Sequence, residues 1–324
     1  MTLSPGHLPS AQAACKRLAP PVLLALALLT SAAALLAARG SSAPRTPSAV
    51  AFVHSVRHPT KVIVSSGLTP GDLHSAYSLP RTGAGGQTIA VVVPYDHPSA
   101  ANDLRAYTST FGVRGCTTAS GCFRRVNQQG TTSSFPGKDP TGGSWNIEAA
   151  LSTQVARAIC QSCGILLVEA SSDSKSDLSS AVATAAALGA QVIETTFTPH
   201  EQETDRRYAA DYSHPGSIVV AATGDSGYSG GGTFPASLPS VLAVGGTSLG
   251  LSHSGVYEGE FAWNGSNGST VSACSQFWNA TAWQLSASQT AGCHGKRAIA
   301  DVSAVADPGA VVHVTGSGQP GGPW

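Results

Sequence analysis

From residue 88 onward, continuous apolar runs alternate with stretches whose apolar residues recur every three or four positions. Ile89-Ala90-Val91-Val92-Val93 reads as a buried strand over 88–93, followed by a helix from about 98 to 111. The helical pattern over 144–159 is the clearest. Ile147, Leu151, Val155 and Ile159 recur every fourth residue and define one apolar face, and Ser144 suits the N-cap. A strand over 165–169, a helix over 176–188 stopped by Gly189, a strand over 191–197 and a helix over 201–212 follow. Further strands are expected over 217–222 and 241–244, and beyond Gly250 the pattern gives way to Gly/Ser-rich loops carrying Trp263, Trp278 and Trp283. Apolar strands separated by helices predict an α/β fold: a doubly wound parallel sheet with helices on both faces.

The chain before residue 88 has a different character. Lys16-Arg17, an apolar run over 22–38 and the small residues Ser41-Ser42-Ala43 form the three regions of a secretory signal, expected over 1–43. The alternative, a membrane anchor, is disfavoured because Thr30-Ser31 interrupts a run that is short beside the ~20 apolar residues a span needs. A Pro/Ser-rich linker over 44–68 leads to a short helix opened by Thr69-Pro70, and one domain is expected over 69–324. Gly83, Gly85 and Gly86 precede the first strand instead of following it, so they are a turn and not a dinucleotide site.

Within the helix at 144–159, Glu148 is the only charge before Arg157, and Ser152 lies one turn on along the same face. Such a carboxylate either favours the positive end of the helix dipole or, beside a buried stripe, acts as a base with a raised pKa. Both readings stand on this stretch alone. Thr223-Gly224-Asp225-Ser226-Gly227 follows a strand, where parallel sheets place ligand sites, although an Asx-turn would equally account for Asp225.

Composition narrows the class. Only 11% of the 324 residues are charged, against ~25% in ordinary soluble domains, and the net charge is zero. The chain has neither a basic run nor arginine interleaved with aromatics, so no nucleic-acid partner is expected. Few carboxylates also means few groups to protonate in acid, which fits an acidic working pH. Cys15 should leave with the signal, and the six remaining cysteines lie in neighbouring pairs: Cys116 with Cys122, Cys160 with Cys163, Cys274 with Cys293. In an exported, extracellular protein these read as disulfides, with a redox or zinc half-site at Cys160-Gln161-Ser162-Cys163 ranked below for want of a second such pair or a nearby histidine. Three Asn-x-Ser/Thr sites begin at Asn264, Asn267 and Asn279.

Two serine motifs mislead. Gly224-Asp225-Ser226-Gly227 spells the nucleophile motif of chymotrypsin-like proteases, which are all-β and need a histidine signature this chain lacks. Gly246-Thr247-Ser248 spells that of subtilisin-like enzymes, but Leu249-Gly250-Leu251-Ser252 cannot open the buried helix such a serine begins, so Ser248 is read as a strand end.

Taken in order, the motifs resemble the sedolisins, the serine-carboxyl peptidases of subtilisin-like fold, over roughly 68–308. The carriers begin with Thr69-Pro70…Asp72-Leu73, Gln87-Thr88-Ile89-Ala90-Val91-Val92 and Trp145…Glu148…Leu151. Leu166-Leu167-Val168-Glu169-Ala170, His214-Pro215-Gly216, Gly224-Asp225-Ser226-Gly227-Tyr228, Phe234-Pro235-Ala236-Ser237, Val244-Gly245-Gly246-Thr247-Ser248 and Asp301-Val302-Ser303-Ala304…Asp307-Pro308 continue the series. The resemblance implies that Glu148 is the general base and that Asp225 completes the oxyanion hole. A carboxyl group donates that hydrogen bond only while protonated, so the implied endopeptidase chemistry, peptide-bond hydrolysis, belongs to acidic pH. A peptide substrate would lie along Thr196, Phe197, Thr198 and Gly224. A monomer is expected.

The sequence departs from the family in three places. Where the family has an aspartate one turn after its base, this chain has Ser152. Where the substrate-lining strand usually reads Ser-x-Ser-aromatic-Gly-Gly, here stands Glu194-Thr195-Thr196-Phe197-Thr198-Pro199, which removes the backbone freedom of the glycines. Finally, Gly318-Gln319-Pro320-Gly321-Gly322-Pro323-Trp324 stops short of the family's nucleophile motif. The nucleophile serine, the helix after it and the family's calcium site are therefore expected beyond Trp324, leaving no metal or other cofactor in this chain. The stretch before residue 68 is also too short for the large propeptide many sedolisins carry, though some lack one. The expected protein is a secreted sedolisin-type peptidase domain, incomplete and inactive as written. The alternative is a secreted pseudopeptidase that binds peptides without cutting them, and a Gly/Ser/Thr-rich adhesion module is a third, weaker reading.

Overall fold

The computed structural model describes residues 52–54, 67–80, 85–228, 231–252, 255–266 and 268–315. The expected signal over 1–43, most of the linker and the stretch 318–324 lie outside these residues.

Seven strands form one parallel layer. In chain order they are β1 (Thr88–Pro94), β2 (Phe123–Asn127), β3 (Gly164–Ala170), β4 (Val192–Thr195), β5 (Ile218–Ala222), β6 (Val241–Leu251) and, after the antiparallel β7 (Tyr257–Ala262) and the pair β8 (Ala273–Asn279) and β9 (Lys296–Ile299), β10 (Val302–Asp307). Their spatial order is β10-β6-β5-β4-β1-β3-β2, and β7 pairs back on the far end of β6. The order reverses direction at β1, which lies between β3 and β4.

Strand alternation assigns each side chain to a face. Ile89, Val91 and Val93 pack with Leu104 of α2 (Ala100–Phe111) and Ala149, Leu151 and Val155 of α3 (Ser144–Ile159). Ala90 and Val92 join Leu178, Ala181 and Val182 of α4 (Lys175–Ala187) on the other face. The expected doubly wound arrangement is thus present, with α1 (Pro70–Ala76) opened by a Thr69/Asp72 capping box. The three expected cysteine pairs are disulfides: Cys116–Cys122, Cys160–Cys163 and Cys274–Cys293. Among the described residues no helix is long and apolar enough to cross a membrane.

Several expectations need correction. The segment expected as a helix over 201–212 is a 3-10 helix, Glu203–Tyr212. Strand β6 runs to Leu251 instead of stopping near Val244, and residues beyond Gly250 form β7 to β10 in place of loops. The reason lies in the Gly245-Gly246 pair. A Cβ on Gly246 would sit 2.8 Å from Ala306 Cβ and 3.2 Å from the Trp263 ring, so the glycine admits the buried Trp263 and the edge strand β10 to the face of β6. Ser248 lies within this strand and its hydroxyl bonds Asp307 at 3.3 Å. The motif that mimics a nucleophile is a packing device here.

One buried ion pair ties this late region to the sheet. Arg297 on β9 donates to both carboxylate oxygens of Asp301, at 2.5 and 2.6 Å, and to the Val241 carbonyl at 2.9 Å. Asp301 in turn accepts the amide of Ala243 at 2.8 Å.

Candidate active site

Helix α3 begins where sequence reading put it, but its cap differs. Gly143, at φ 113°, precedes the first turn, and Asp139 Oδ2 accepts the amides of Gly143 and Trp145 at 3.1 and 3.0 Å. Ser144 is the first helical residue and not the cap. Asp139 supplies the carboxylate at the helix start, and Glu148 lies past the first turn, where the pull of the helix dipole falls off. The expected single apolar face is also too narrow a description, since every residue from Glu148 to Ile159 is buried.

Glu148 is 2% exposed, and its Oε1 has no hydrogen-bond partner. Burial first, then the carboxylates of Glu194 and Asp225, hold its pKa well above the usual carboxylate range. The Thr196 hydroxyl is close enough to moderate that rise but forms no hydrogen bond of ordinary geometry, and its Oγ1 is unpartnered as well. Ser152 is fully buried and donates to Glu194 Oε1 at 3.4 Å. Glu194 on β4 is likewise 0% exposed; burial pushes its pKa up to about 8, opposed only by that hydrogen bond.

Asp225 lies on the turn after β5, half-buried. Its carbonyl accepts the Ser269 amide and the Gly224 carbonyl the Val271 amide, both at 2.9 Å, which fixes the turn against the chain after β7. Gly224 has φ +108°, and a Cβ there would come within 3.2 Å of Val271 and 3.4 Å of Thr198 Oγ1. The glycine thus lets the Asp225 turn close on the end of β4. These are the carboxyl ends of neighbouring parallel strands, where such sheets bind ligands.

Glu148, Ser152, Thr196, Thr198, Gly224 and Asp225 are therefore brought into one neighbourhood. Phe197 is set apart: it packs edge-on against Phe234, ring centres 6.4 Å apart, half-buried against the core on the α4 side of the sheet. Glu194 was named only as part of a departing strand motif. The signal that marks it is the one that marked Glu148, a lone charge inside an apolar run. A third buried glutamate, Glu169, is raised to about 7 by burial but is engaged by Arg125 at 2.6 Å and by the His97 amide at 2.9 Å. Its partners make it a structural ion pair. Among the described residues no group of three or more His, Cys, Asp or Glu is placed to hold a metal ion.

The mostly parallel sheet with helices on both faces defines the class, a subtilisin-like α/β fold. No family model matches the chain. Kumamolisin from Bacillus sp. (strain MN-32) is 30% identical over 278 residues, 78% of this chain and 48% of kumamolisin. A solved structure of Pseudomonas sedolisin, a serine-carboxyl proteinase complexed with two molecules of pseudo-iodotyrostatin, shares the fold. Its TM-score is 0.63 at 23% identity, over 79% of this chain and 75% of that one. The chain belongs to the sedolisin family. It spans about half the length of the curated relative it matches.

Proposed function

We propose that this chain carries the acid–base half of an exported, sedolisin-type peptide site: Glu148 as general base and Asp225 as the protonated oxyanion donor. The observation that carries the reading is the buried carboxyl of Glu148, its Oε1 without a hydrogen-bond partner, within electrostatic reach of Asp225. Carboxyl groups this close surrender protons in steps that belong to the group. Once the first has left, one negative charge serves as base while another carboxyl still donates. The three disulfides fit the oxidising compartment that secretion implies.

The serines that the motifs single out are not placed to attack a peptide. Ser152 is fully buried and Ser248 is held in β6, while Ser226 sits on an exposed turn bridged to Ser269. In this reading hydrolysis needs a serine from outside the described residues, and the 324-residue chain holds peptides in acid without cutting them. Ser152 at the family's aspartate position and Thr198-Pro199 at its glycines favour a second reading, in which the protein never cuts. Incubated with a mixed peptide library at about pH 4, the chain is expected to retain peptides and release no fragments; at about pH 7.5, with its carboxyls ionised, retention should fall. Fragments that vanish in Glu148→Ala would overturn the no-turnover part. Absence of retention at either pH would sink the peptide site itself.

A further inference from the structure

We propose that Glu194 is the partner carboxylate of Glu148, held in register by Ser152, so that the acid expected on helix α3 is carried by strand β4 instead. The proposal rests on reading Glu148 as the working carboxyl of the site.

The geometry comes from two facing elements. Val192 packs on the α3 side of the sheet and Ile193 on the other, so Glu194 falls on the α3 side. There Ser152, one turn beyond Glu148, donates to Glu194 Oε1 at 3.4 Å. Glu194 Oε2 and Glu148 Oε1 are both buried and both without a hydrogen-bond partner. Two ionised carboxylates in a dry space carry a large desolvation and repulsion cost, so at least one proton resides on the pair.

Among the described residues no neighbouring element supplies a compensating charge. Glu194 is registered against Val91 on β1 and Val220 on β5. Only Asp225, after β5, adds a further titratable group, and it too is acidic.

The sequence fits a reciprocal exchange. Where the family's helix has an acid this chain has a hydroxyl at Ser152, and where its strand has a serine this chain has Glu194. Glutamate is one methylene longer than aspartate, which gives a strand-borne carboxyl the reach to meet the helix. Because Glu194 is wholly buried it touches no substrate. It is a positioning residue that sets when Glu148 gains and loses its proton.

The test is a carboxyl-carbon NMR titration of the full chain, made with 13C-labelled glutamate, from about pH 3 to about pH 9. Glu148 and Glu194 are expected to titrate in two separated, mutually dependent steps. Glu194→Gln should lower the Glu148 step by about one pH unit or more, because the like charge is gone. Ser152→Ala should raise the Glu194 step, and the double exchange Ser152→Asp with Glu194→Ser should restore a two-step pair. A Glu148 step unmoved by Glu194→Gln would overturn the proposal. Should that variant fail to fold, a Glu194 step unmoved by Ser152→Ala would overturn it equally. Peptide retention is measured on the same samples: coupled titration without retention upholds the pairing and removes the peptide-site reading.

Discussion

Stability is expected to be greater at pH 4.5 than at pH 8, and Glu194→Gln should remove much of the difference. In the folded chain burial raises Glu194 from 4.5 to about 8, so the native state binds its proton more tightly than the unfolded state does. The stabilisation is complete below 4.5 and is lost as pH rises through about 8. Over that span the loss is up to roughly 5 kcal/mol, at about 1.4 kcal/mol per pH unit. Glu148 and Glu169 act in the same direction, the latter with a folded value of about 7. His97 opposes them: burial holds its pKa below 6.5, so its contribution is present above 6.5 and is lost as pH falls. Asp103, whose pKa is lowered by its hydrogen bonds to His313, Thr315 and Ser99 against the cost of burial, loses its contribution only below 3.8. Thermal unfolding of the parent and Glu194→Gln at both pH values checks this. The variant should match the parent in acid and exceed it at pH 8. A parent Tm that climbs steadily from acid to pH 8 would contradict it.

The second large effect concerns Arg297. Its guanidinium and the Asp301 carboxylate are 0% and 2% exposed, and it also holds the carbonyls of Val241 and Ala236. Replacing it by alanine strands a carboxylate in the interior and frees the Val241 carbonyl at the start of β6 and the Ala236 carbonyl before it. Arg297→Ala is expected to cost about 3–5 kcal/mol, read as a lowered urea midpoint at unchanged slope. A loss under about 1 kcal/mol would show that water or a neighbour replaces the pair. Because β6 lies beside β5, which carries the Asp225 turn, the ion pair also bears indirectly on the site.

Much of the fold was legible because its core obeys two simple periods. The helix at 144–159 has the expected bounds, and the strands around 88–94, 164–170 and 218–222 differ from expectation by a residue or two. Strand β2 was hidden by Arg124 and Arg125, one exposed and the other ion-paired to Glu169. The full length of β6 was hidden by Gly245-Gly246, whose need for space arises from residues distant in sequence: Ala300 and Ser303 beside Gly245, Ala306 and Trp263 beside Gly246. Strand β10 carries only the short apolar run Ala304-Val305-Ala306, between Ser303 and Asp307, too short to mark a strand by itself.

The site was legible in part. Glu148 stood out as one charge in an apolar helix, and Asp225 as an acid after a strand. Their approach depends on the Gly224 turn, which no spacing encodes. Glu194 escaped notice because its partner, Ser152, comes from another element, 42 residues away. Asp139 escaped as the helix cap because it reaches α3 across a turn and stands outside the usual capping position.

The central claim is that Glu148 and Asp225 form one site biased toward acid. The most direct measurement is the proton uptake of Glu148, followed by carboxyl-carbon NMR in the parent and in Asp225→Asn. The account predicts uptake well above 4.5 in the parent and a lower transition in the variant. A Glu148 that titrates near 4.5 in both would contradict it.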